Sequence, residues 1–130
     1  MITTEQYFGE LSLTSTPDQE TKDNAAELLE RVNALLAEID LPEAEQPHVN
    51  SGWRPDWYNK ITPHAAPNSK HMTGQAVDVG DPDGALDNYL FAHTELLQKH
   101  GLWMEHPLST KGWCHLQCVP PRSGNLVFYP

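Results

Sequence analysis

The chain has 130 residues, a length that suits one domain and should bury roughly two-thirds of its unfolded surface on folding. Eight Lys and Arg stand against eighteen Asp and Glu, a net charge of -10, which argues against nucleic acid and anionic membrane as partners because both are bound chiefly through basic side chains. No apolar run approaches the ~20 residues of a membrane span, and MITTEQYFGELS lacks the basic-then-apolar layout of an export signal, so a soluble chain that is not self-exporting is expected.

Residues 1–14 are polar with scattered aromatics and read as an extended lead-in that closes at Ser15. Thr16-Pro17-Asp18-Gln19 then sets a threonine N-cap, a proline at the first helical position and a glutamine at the third, the pattern of a capping box. Ala25, Leu28, Leu29, Val32, Leu35, Leu36 and Ile39 recur at three- and four-residue steps and predict an amphipathic helix that stops before Pro42, its stripe facing core. From 47 to 71 the chain is rich in Pro, Asn, Ser, His and aromatics, which predicts a short strand over His48–Gly52 and then a long irregular loop. Loops of that length are often functional.

QAVDVGD alternates as a strand, with Ala76 and Asp78 facing one way and Val77 and Val79 the other. In the DPDG turn, Asp81 and Asp83 serve helix entry rather than a calcium loop, because the EF-hand glutamate pattern is missing. Leu86–Lys99 reads as one helix that buries Leu86, Tyr89, Leu90, His93, Leu96 and Leu97, with Gly101 as its C-cap. GLWMEHP and GWCHLQCV read as a hairpin joined by LSTK, with Trp113, His115 and Gln117 on one face of the second strand and Cys114, Leu116 and Cys118 on the other. Two cysteines four apart in a strand lie roughly 13 Å from each other, too far for a disulfide, so both are expected as free thiols. The tail PPRSGNLVFYP is turn-rich and ends in an aromatic plug. Together these elements predict a single α+β domain over residues 1–130, a small and mainly antiparallel sheet packed against two or more helices.

Seven histidines are many for this length, and imidazole is the commonest side-chain metal ligand. Asp78 and His115 both fall mid-strand among residues that look buried, where an ionised carboxylate is costly unless it is paired or bound to a metal. With His71 from the preceding loop they make two imidazoles and one carboxylate, the ligand count of a catalytic zinc site that keeps one position open. Taken singly, each has a plainer reading: a loop histidine, a backbone cap and a satisfied core histidine.

Taken together, SKHMTGQAVD followed by the W-x-H of Trp113–His115 resembles the zinc D-Ala-D-Ala carboxypeptidases and phage endolysin peptidases. SGWRP, Asn59, PNSKHMTGQAVD, GLWMEHP and GWCHLQ occur in that family's order over residues 48–130. The resemblance implies a zinc-dependent metallopeptidase in which His71, Asp78 and His115 hold Zn2+. Its substrate would be the stem peptide of peptidoglycan, cut at a terminal D-Ala or within the stem, by a monomer that contacts neither membrane nor nucleic acid. Arg54 takes the family role of holding a substrate carboxylate or carbonyl oxygen, and Asn59, Ser69 and Trp113 are assigned to the substrate side, with Ser69 also buttressing the loop. Related enzymes place an acid three residues before the last histidine, which is Gly112 here, so Glu105 on the neighbouring strand becomes the expected catalytic acid and base. The size, the missing export signal and the free thiols are similar to those of a phage-encoded lysis enzyme or virion component, made in the cytoplasm and released to the cell wall. A net charge of -10 opposes contact with anionic wall polymers, and with Gly112 it favours a second reading, a non-catalytic zinc-bearing virion or wall-binding domain of the same fold.

Overall fold

Alternating side chains in five short segments build one sheet, and its two faces divide the labour between core and site. The computed structural model describes residues 1–40 and 47–130; Pro42 lies outside them, and the helix expected to end before it does so, its last residue being Ala37. In chain order the elements are α1 (Thr4–Phe8), α2 (Gln19–Ala37), β1 (Val49–Ser51), α3 (Asp56–Ile61), β2 (Ala76–Asp81), α4 (Ala85–Ala92), α5 (Thr94–His100), β3 (Trp103–Glu105), β4 (Gly112–Gln117) and β5 (Val127–Phe128). The strand order is β1-β2-β4-β3-β5, antiparallel except for the parallel β3/β5 edge. This is the expected α+β class.

Val77, Val79, Cys114, Leu116 and Met104 form the apolar face of the sheet and pack with Ala25, Leu28, Leu29, Val32 and Leu35 of α2 and Leu86, Leu90 and Leu97 of α4 and α5. Each such aliphatic side chain, taken fully out of water, contributes about 1.5–3 kcal/mol. The helical stripe read from the sequence is therefore core. Both cysteines are free thiols. Among the described residues no helix is long and apolar enough to cross a membrane.

Five local expectations are corrected. The lead-in is helical: the Thr3 side chain accepts from Gln6 N–H while Gln6 reaches back to Thr3 N–H, and the α1 so capped continues into a 3-10 turn over Gly9–Leu13. Helix α2 starts at Gln19, because the Asp18 carboxylate accepts the Thr21 N–H at 2.8 Å and so outcompetes Thr16 as the N-cap. The long loop contains α3. The helix read over Leu86–Lys99 breaks at His93 (φ -132°, ψ 55°), whose ring Nδ1 donates to the Tyr89 carbonyl at 2.8 Å and so replaces a lost backbone bond. Tyr89 is consequently exposed and stacks on His93 at 4.2 Å instead of entering the core. The aromatic plug, finally, is an edge strand, with Phe128 buried and paired to Glu105.

Other expectations hold in detail. Gly101 ends α5 in the left-handed region (φ 64°, ψ 45°). Asp81 accepts the N–H groups of Leu86 and Asp87, which opens α4. Helix α1 matters because Tyr7 ties two segments of the future site together. Its hydroxyl donates to the Ala76 carbonyl at 2.9 Å, and its own carbonyl accepts from Trp53 N–H at 3.2 Å. This contact presses the Tyr7 carbonyl onto Gly52 so closely that no side chain fits there. Gly52→Ala is expected to cost about 2–3 kcal/mol of stability, the usual penalty for forcing atoms into a packed backbone contact. Chemical denaturation checks this; a midpoint within error of wild type would show that the α1 contact is dispensable.

Candidate metal centre

Three elements deliver three donors to one point. Asp78 of β2 and His115 of β4 are direct register partners, so the sheet alone sets them side by side on the face opposite the core. His71 arrives from the loop after α3, held by Arg54 N–H donating to its carbonyl (3.1 Å) and by Trp53 Nε1 donating to the next carbonyl, that of Met72 (3.3 Å). The turn closes through Gly74 at φ 76°, a conformation that resists other residues, and at a place where a side chain would meet the Thr21 carbonyl. That turn folds His71 back towards Asp78.

Ser51 enters the same row through a bulge. Val49 pairs with Val79 and packs on the core, yet Ser51, two residues on, pairs with Asp78 on the other face. One extra residue, Asn50, reverses the alternation, the usual way a bulge re-aims a side chain. Across the sheet the row therefore runs Ser51, Asp78, His115, Glu105, Phe128.

His115 Nδ1 lies 2.9 Å from Asp78 Oδ1 and His71 Nε2 lies 3.3 Å from Asp78 Oδ2. All three groups are buried, with His71 only 3% exposed. The far nitrogens decide the tautomers. His71 Nδ1 faces the Gly52 carbonyl at 2.8 Å and must donate to it, which leaves Nε2 as the lone pair. The Gln117 amide nitrogen donates to the Val119 carbonyl, so its Oε1 meets His115 Nε2 at 2.8 Å and accepts that proton, leaving Nδ1 as the second lone pair. When both rings are neutral, both lone pairs point towards the carboxylate; a further proton on His115 Nδ1 turns that contact into a hydrogen bond to Asp78.

Burial lowers the pKa of His71. Burial would raise that of Asp78, but the two imidazoles outweigh it and hold the carboxyl well below its usual range. Burial likewise opposes charge on His115, yet the hydrogen bond and charge of Asp78 win and raise its pKa. Two nitrogens and a carboxylate oxygen, all within 4.8 Å of one another, fit a divalent ion of the zinc type, whose bonds to such donors are roughly 2.0–2.2 Å. The ring protons fixed on Gly52 and Gln117 are the outer contacts that orient histidine ligands.

Glu105 Oε1 sits 3.8 Å from His115 Nδ1, and burial raises its pKa against the lowering effect of His115. Arg54 reaches Asp78 Oδ2 at 3.4 Å, while its Nε donates to Ser51 Oγ (2.9 Å) and its Nη1 to Asn59 Oδ1 (3.4 Å). Asn59 is itself fixed by donating to the Ala66 carbonyl, so it steadies Arg54. Ser69 Oγ accepts from His71 N–H, the buttressing role read from the sequence. Trp113 is half-buried on the same face, one pleat from His115 and opposite Gly80. Gly112 holds φ 102° with open space where a side chain would stand, so Glu105 is the carboxylate that reaches the triangle. Gln117 and Ser51 carry no functional assignment in the sequence reading. Alternation does put Gln117 on the His115 face, but no local pattern announces the bulge that turns Ser51.

No family model, curated protein or solved structure matches this chain. Gln117→Leu is expected to weaken zinc uptake by about 10- to 100-fold with the fold intact, as read by competition with a chromophoric chelator. In the wild type, affinity should fall as the pH drops, because the His115 proton favoured by Asp78 must leave before its nitrogen can bind a metal. A pH-independent affinity would mean that His115 is not a ligand.

Proposed function

We propose that the chain is a zinc-dependent metallopeptidase that hydrolyses the peptides of bacterial peptidoglycan. The observation that carries this reading is the convergence of the His71–Asp78–His115 donors with a half-buried acid, Glu105, and a half-buried cation, Arg54, on one face of the sheet. When bound, zinc supplies a Lewis acid that polarises a scissile carbonyl and acidifies water.

The protein side of the chemistry falls to two residues. Glu105, with its raised pKa and its carboxylate beside His115, takes the proton of the attacking water and returns it to the leaving amine. Arg54 donates to the carbonyl oxygen as negative charge develops there, and its fork is pre-set by Ser51 and Asn59. Asp78 stays ionised and paired, which keeps Arg54 aimed at the triangle. In this reading the chain acts on the cell wall after release, as a lysis enzyme or virion component.

A second reading, a zinc-bearing virion or wall-binding domain without hydrolysis, is favoured by one feature: Gly112 stands where related enzymes carry their acid.

Purified protein with and without zinc, incubated with peptidoglycan and followed by mass spectrometry for released D-Ala or new free amines, separates the two. Glu105→Gln should lower kcat by about 100- to 10,000-fold while elemental analysis finds the zinc retained. Arg54→Ala should cost roughly 100-fold, on the order of 3 kcal/mol of transition-state stabilisation. Zinc-loaded wild type that cuts no wall peptide would leave the binding-domain reading.

A further inference from the structure

Gly80 has no local reason to be a glycine. It lies inside β2, where a side chain would normally pack, and its φ is not in the left-handed region that glycine alone tolerates. Its missing side chain makes room for another group. The His48 ring fills the space that a Gly80 Cβ would occupy, with Nε2 and Cε1 nearest. The backbone fixes this contact, since Gly80 N–H donates to the His48 carbonyl at 2.8 Å.

The ring lies on the face that matters. Gly80 shares the parity of Asp78 along β2 and pairs with Trp113, which shares the parity of His115 along β4. The His48 imidazole therefore rests beside the donor triangle, two residues along β2 from Asp78, or roughly 6.6–6.8 Å. That is about the length of two residues of an extended peptide. His48 is exposed, and among the described residues its ring takes part in no hydrogen bond or ion pair. A histidine seated by a glycine and left with free nitrogens has geometry suited to meeting a ligand rather than holding the fold.

We infer that His48, seated on Gly80 and walled by Trp113, is a substrate-contacting residue that hydrogen-bonds an oxygen of the bound peptide next to the scissile bond. This rests on the peptidase reading above. The acceptor is a carbonyl or a carboxylate oxygen, and the two are separable by the ligand used. Trp113 supplies the apolar wall against which the same part of the peptide lies.

The test uses the zinc-loaded protein with a synthetic stem pentapeptide and a second form in which its carboxylates are amidated. Binding is measured by calorimetry and turnover by mass spectrometry, in wild type, His48→Ala, His48→Asn and Gly80→Ala. Loss of one such hydrogen bond should weaken pentapeptide binding by about ten-fold, with kcat changed less than about two-fold and zinc affinity unchanged. Gly80→Ala should reproduce the defect by pushing the ring aside, and His48→Asn should recover part of it. If the wild-type advantage disappears with the amidated peptide, the acceptor is a carboxylate; if it persists, a carbonyl. Tight binding that depends on His48 without any cleavage would overturn the peptidase and leave the contact standing. Equal binding by wild type and His48→Ala would overturn the contact whether or not the peptide is cut, and no binding to either peptide would overturn both.

Discussion

Two imidazole lone pairs and a carboxylate directed at one buried point cannot be left to themselves. Each would repel the others without a positive charge between them, and burial removes the water that could screen that repulsion. The arrangement therefore favours a positive charge among the three groups. A proton shared by His115 and Asp78 would meet the demand without metal, and a divalent ion would meet it more fully, because both nitrogens could bind it at once. The scaffold around the site serves to stop the three groups from escaping one another. Gly52 and Gln117 fix the ring protons on the outside, and the β2/β4 register prevents Asp78 and His115 from separating. Removing one partner from a buried charged set of this kind typically costs 3–5 kcal/mol, so the triangle is also a strong constraint on the native state.

The rest of the fold follows from keeping that point closed. Helix α1 packs Tyr7 onto Gly52, which sets the carbonyl that His71 needs. The bulge at Asn50 swings Ser51 out of the core face and onto Arg54. Asn59 of α3, fixed on Ala66, completes the clamp. Small local devices, a glycine without room for a methyl, one extra residue in a strand and a helix of six residues, thus convert a common sheet into an electrostatic site.

Much of this was legible in the sequence because it depends on local pattern. Strand alternation put Asp78 and His115 each on one face of its own strand and the family resemblance implied that they meet, whereas the β2/β4 pairing that sets them side by side has no local signal. The motif order linked Arg54 and Glu105 to the same place. What escaped depended on competition or on distance along the chain. Thr16 and Asp18 are both good N-caps, and only the folded geometry chooses Asp18. Thr3 and Gln6 form a capping box, but the helix it opens is too short and polar to stand out by periodicity. His93 looked helical until its ring took the Tyr89 carbonyl. Phe128 pairs with a strand more than twenty residues earlier, a partnership that no local signal specifies. The Asn50 bulge and the Gln117 contact likewise exist only once the sheet is assembled.

X-ray absorption on the zinc-reconstituted protein tests the central claim most directly. One equivalent of zinc with a shell made only of nitrogen and oxygen donors, two of them imidazole, and a loss of that signal in Asp78→Ala, is the result this account predicts. A protein that takes up no zinc, or one whose zinc is ringed by sulfur from Cys114 or Cys118, would contradict it.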